Sequence, residues 1–127
     1  MAQTPLTEGM HTGEFIGELA MGIGYHCDEI TVLSGQNLVA GAVIGKVTAS
    51  SKYVAFDNAG TDDGRRVAAG ILVGAVDASS GDAKGLALLR GPAVVNKNDL
   101  TWAAGIDATE QAAALATLLA SNGIKAA

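Results

Sequence analysis

The sequence predicts an α+β fold: a small domain of short, mostly antiparallel β-strands with one C-terminal α-helix and an extended N-terminal arm. Three observations point there. From residue 29 to residue 90, apolar runs of strand length alternate with clusters of Gly, Ser, Asn and Asp. After Asp107 an Ala- and Leu-rich segment carries both helix start and helix stop signals. Before Asp28 no period is sustained, because Gly9, Gly13, Gly17, Gly22 and Gly24 interrupt every candidate helix.

Residues 1–27 therefore read as the arm and residues 28–127 as the compact domain. Phe15-Ile16 is the one strong apolar anchor in the arm; the rest is too polar and glycine-rich to offset its ordering entropy alone. "EITVL" is β-branched, and "SGQN" behind it is a turn. "AVIGKVTA" alternates loosely and reaches "KYVAF" through Ser50-Ser51. "DNAGTDDG" is a loop by composition. "VAAGILVGAV" is a nearly continuous apolar run interrupted by Gly70 and Gly74, expected as a strand buried on both faces or closely approached by another backbone. "ASSGDA" turns into "KGLALLR", and "GPAVVNKNDLTW" is an irregular extended piece closed by the sole Trp.

The helix is the best-signalled element. Asp107 and Glu110 have the spacing of a capping box. Leu115, Leu118 and Leu119 are expected on one face. Asn122-Gly123 ends the helix, with Ile124 folding back on Leu118 or Leu119.

The apolar fraction is 49%, but aromatics supply only 4%. The core must be thin, with Trp102 expected as its largest filler. The 127 residues suit one domain that can fold without disulfide or metal. The single Cys allows no internal disulfide. A net charge of −5 with scattered basic residues speaks against nucleic acid. No apolar run reaches the roughly 20 residues of a membrane helix. The start "MAQTPLTEG" lacks a basic and then apolar leader, so synthesis in the cytoplasm is expected.

"GIGYHCDEI" gathers the reactive letters, with His26, Cys27, Asp28 and Glu29 in a row. Neighbours on an extended chain point to opposite faces, so at most two of them converge. That is too few for a tetrahedral zinc site, and it leaves a Cys-His pair without its orienting group. "GTDDGRR" lacks the alternating ligands of a calcium loop and the Lys-Ser/Thr of a phosphate loop; Asp63-Gly64 reads as a tight turn. No catalytic residue, metal ligand or cofactor-binding residue is assigned, and no enzyme activity is expected.

In order along the chain, "PLTEGMHTGEFI", "ITVLSGQNLVAGAVIGKVTA", "KYVAFD", "DGRRVAAGILVGAVDA" and "VVNKNDLTW" resemble the head decoration proteins of lambda-like tailed phages. The likeness spans most of the chain from Pro5 to Trp102. It implies a non-enzymatic protein on the outer surface of the virion head. Homotrimers would sit at local three-fold positions of the expanded head and cement the major capsid protein against internal DNA pressure. The arm would add extended structure to strands of the capsid protein. That role falls on Thr4, Pro5, Leu6, Thr7, Phe15 and Ile16. The chain departs from the family pattern at "GELAMGIGYHC" and in its Ala-rich end. Two other readings compete: a small ligand- or carbohydrate-binding β module, which should present exposed aromatics, and a thiol- or metal-dependent enzyme, which needs partners for His26 and Cys27.

Overall fold

The computed structural model describes residues 15–19, 23–58 and 60–127. In chain order the elements are β1 (Ile16–Leu19), a single turn α1 (Ile23–His26), β2 (Cys27–Val32), β3 (Asn37–Leu38), β4 (Val43–Lys46), β5 (Tyr53–Ala55), β6 (Ala68–Leu72), β7 (Val76–Asp77), β8 (Ala83–Leu88), β9 (Ala93–Val95), α2 (Ala108–Thr117) and β10 (Ile124–Ala126). The predicted α+β class is what the structure has. The strands are mostly antiparallel, and the one substantial helix lies near the C-terminus.

Five strands close a barrel in the order β2-β5-β4-β6-β8. Its seams are antiparallel except the last, where β2 meets β5 in parallel through Val32 and Tyr53. The β2–β8 seam is the longest, running from Cys27 opposite Leu88 to Val32 opposite Ala83. Closure leaves no barrel edge exposed, which suits a chain with few large apolar residues. The ribbon β3–β7 sits apart, as does a three-stranded sheet in the order β1-β9-β10.

Two buried clusters result. One gathers Ile30, Val32, Ile44, Tyr53 and Leu72 from the barrel strands with Leu38 and Val76 from the ribbon. The other joins barrel residues Val43, Ile71 and Leu88 to Phe15, Val95, Leu118 and Ile124, so it binds the small sheet and the helix to the barrel.

Several expectations are corrected. Trp102 is only half-buried, with its ring edge-on to Phe56. The buried aromatics are Phe15, Phe56 and Tyr53, and Phe15, which is wholly buried, comes from the sequence predicted as arm. The run "VAAGILVGAV" is not one strand: β6 stops at Leu72, and Val76 belongs to β7 opposite Leu38. "GPAVVNKNDLTW" contains β9, a sheet member rather than irregular chain, and the tail after the helix adds β10 beside it.

The helix carries its capping box. Asp107 accepts from the Glu110 N–H at 2.8 Å, and Glu110 reaches back to the Asp107 N–H. A wider π-type turn spans Leu118–Asn122. Leu118 is fully buried, whereas Leu119 is 53% exposed, contrary to the single face expected. The buried face of the helix runs through Ala114 and Leu118, four residues apart, so Leu119 falls to its flank. Gly123 then takes φ 71°, a left-handed cap whose N–H reaches the Leu118 and Leu119 carbonyls, and Ile124 turns back into the core.

Candidate functional site

His26, Cys27 and Asp28 stand where α1 turns into β2. The His26 ring is fully buried, with Nδ1 2.9 Å from the Arg90 carbonyl oxygen. Tyr25 packs against it, ring centroids 5.2 Å apart and nearly perpendicular. The Arg90 guanidinium lies 5.9 Å over the Tyr25 ring and pairs with the Asp28 carboxylate. The backbone joins in, since the Leu89 and Arg90 N–H groups both donate to the His26 carbonyl. Residues about sixty positions apart are thus clamped together, the entry of β2 to the exit of β8. Arg90 is the member that the sequence did not single out; its only signal was a basic residue at the end of an apolar strand.

Cys27 is buried in the core beside this clamp. Burial pushes its thiol above the ordinary value, Asp28 pushes the same way, and Arg90 opposes them. A thiol raised in this way is a poor nucleophile at neutral pH. Among the described residues no three His, Cys, Asp or Glu side chains converge as a metal-binding group. The stretch therefore works as a structural joint.

The loop around Asp63 and Arg65 is held by its own ion pair and by the Thr48 N–H, which donates to the Asp63 carbonyl at 2.8 Å. Arg65 donates to Asp63 through Nε at 3.0 Å and a terminal nitrogen at 2.8 Å, and this pairing holds the Asp63 carboxyl below the usual carboxylate range. Arg66 donates to the Gly60 carbonyl at 2.9 Å.

The arm residues divide. Thr4, Pro5, Leu6 and Thr7 lie outside the described residues. Phe15 and Ile16 are described, and the structure packs both against the domain itself. Phe15 is wholly buried in the core between sheet, barrel and helix, and its carbonyl accepts from the Asn96 N–H at 2.8 Å. Ile16 is half-buried opposite Val95. The register slips between Ile16 and Glu18, so Gly17 is the extra residue of a bulge.

β1 pairs with β9 along one side only, and β10 flanks β9 on the other side. The predicted arm residues 16–19 are thus part of a sheet that also holds the end of the chain. Glu18, Val94 and Lys125 stand side by side across its three strands. An open groove of about 400 Å³ crosses this region, lined by Glu18, Ala93, Val94, Leu119, Gly123 and Lys125. Among the aromatics, all of them within the described residues, only Tyr25 is exposed, at 50%. That is no stacking platform for a sugar.

No helix among the described residues is long and apolar enough to cross a membrane. A search of curated proteins gives no match to the chain. The model of one protein family, described as bacteriophage lambda head decoration protein D, matches residues 5–124. With nearly its whole length matched, the chain belongs to the family of the bacteriophage lambda head decoration protein D, structural proteins of the phage capsid.

Proposed function

We propose that the protein binds as homotrimers at local three-fold positions on the outer surface of the expanded phage head, where it cements the major capsid protein lattice against internal DNA pressure. Membership in the decoration family supports capsid association. The observation that carries the attachment mode is the root of the arm: Phe15 is plugged into the core, and β1 is an edge strand. Residues 1–14 lead directly into that strand.

Edge strands recruit further strands through their main-chain N–H and C=O groups. An arm continuing from β1 extends the same pattern onto strands of the capsid protein, with Thr4, Pro5, Leu6 and Thr7 as its contact residues. Three arms per trimer act together, so modest single contacts sum to durable attachment. The acidic net charge of −5 keeps the free protein soluble until heads are available. It also disfavours contact with nucleic acid. The competing sugar-binding reading lacks its aromatic platform, and the thiol-enzyme reading would rest on a buried, protonated Cys27.

The test is deletion of residues 2–14. Folding is expected to survive, because Phe15 and everything beyond it remain. Pelleting with undecorated expanded heads is expected to fall by orders of magnitude. A truncated protein that melts normally and still pellets at full occupancy would remove the arm as the anchor. Light scattering of the free protein tests the trimer, and a stable dimer would contradict it.

A further inference from the structure

We infer that the groove across β1, β9 and β10 is a second capsid contact, which seats an apolar side chain from an extended segment of the major capsid protein. The inference rests on the attachment reading above and adds a site on the domain itself. Three observations converge on this occupant.

The first is where the arm begins. Residues 1–14 end at Phe15, whose carbonyl is held by Asn96 at the end of β9, and β1 then runs along β9 with Glu18 reaching the groove. Fourteen extended residues span at most about 50 Å. A capsid segment held by the arm is therefore delivered within a short tether of this sheet, and the tether raises its local concentration there.

The second is the lining. Val94, Ala93 and Leu119 give an apolar floor and wall, and Leu119 is 53% exposed, a large apolar side chain left in water. The volume of about 400 Å³ is on the scale that holds a few side chains of an extended segment.

The third is the charge at the rim. Glu18 and Lys125 stand on either side of Val94 in one row across the sheet. Opposite charges flanking an apolar centre fit a segment with an apolar residue between polar ones, and they fix its direction along the groove.

Leu119→Asp places a carboxylate in the apolar wall, and Lys125→Glu reverses the rim charge. Both positions are exposed, so both variants are expected to fold and to keep the wild-type oligomer size. With the arm intact, Leu119→Asp is expected to weaken binding to undecorated expanded heads about ten-fold, the scale of one seated apolar side chain. Lys125→Glu is expected to weaken it about three-fold, more at low salt than at high. Wild-type binding by both variants would overturn the inference. So would a change in the size of the free oligomer, which would make the groove a contact between copies. Failure of the arm reading is seen separately, as full binding by the protein lacking residues 2–14.

Discussion

The Asn122 side-chain amide donates to the Leu89 carbonyl oxygen at 2.9 Å, and the same nitrogen donates to the Ala69 carbonyl at 3.1 Å. One residue at the end of the helix thereby ties it to β6 and to the exit of β8. Asn122→Ala leaves two partly buried carbonyls short of a donor and is expected to cost about 1–3 kcal/mol by urea unfolding. Asn122→Asp should cost more, because a carboxylate then faces two carbonyl oxygens. Wild-type stability in both variants would show that water replaces the amide freely.

Gly91 approaches the same helix end from the other side. A Cβ there would lie 1.9 Å from the Gly123 carbonyl oxygen, a backbone atom that cannot swing aside. Gly91→Ala is expected to lower stability by at least about 1–3 kcal/mol. Gly24→Ala is the control, since among the described residues no atom beyond its own turn lies within 4 Å of its Cβ position. A thermal melt that shifts equally in both variants would refute the close approach.

Leu118 and Leu119 are adjacent but differently placed. Leu118→Ala empties a fully buried site and should cost about 2–5 kcal/mol. Leu119→Ala should stay within about 0.5 kcal/mol in the free protein. Similar losses for the two would return Leu119 to the core face that the helical period suggests.

Cys27 gives a signature in alkali. Its folded pKa is raised, so above the unfolded value of about 8.5 the unfolded chain gives up its proton first. Stability is then expected to fall as pH rises beyond that value. Tyr53, also raised chiefly by burial, adds to the fall near pH 10 and above. Cys27→Ala should flatten the first part of the curve. A maleimide should label native Cys27 slowly and the urea-unfolded chain fast; equal rates would mean an accessible thiol.

Asp82 gives the counterpart in acid. Lys52 donates to one of its oxygens, and the Ser34 N–H donates to the other at 2.8 Å, which holds its carboxyl below the usual range. A depressed carboxyl stabilises the fold above the unfolded value of about 3.9, and this is lost as pH falls through the folded value. Asp63 and Asp77 act in the same direction. Melting temperature should drop below about pH 4, and less steeply in Asp82→Asn, whose amide oxygen still accepts from Ser34. An unchanged slope would place the acid sensitivity elsewhere.

Legibility in the sequence followed the range of the interactions. The capping box of Asp107 and Glu110 is local, and it was readable from residue spacing alone. The strands β2, β5 and β8 announced themselves as β-branched or apolar runs bounded by turns. The strands β3, β9 and β10 are two or three residues long and exist only because distant partners meet them, as Ala93 does with both Leu19 and Ile124. Barrel closure was invisible because its last seam rests on one pair, Val32 with Tyr53. Trp102 is bulky yet half-buried, because volume alone does not decide burial; Phe15 reaches the core because β1 docks on β9. Arg90 carries no local signal of its role. Its role depends on Tyr25 and Asp28, more than sixty residues away.

The bulged pairing of β1 with β9 has a mechanical meaning. β1 runs antiparallel to β9, and residues 1–14 precede its Ile16 end in the sequence. A pull applied through the arm along the strand axis slides β1 lengthwise over β9 instead of peeling it away one bond at a time. The hydrogen bonds of the four-residue strand share the load together, and the Phe15 plug must leave the core at the same moment. Such a shear-loaded joint yields abruptly at high force, whereas a peeled strand creeps at low force. On the attachment proposed above, a force that reaches β1 through residues 1–14 would be resisted stiffly until the joint fails as a unit.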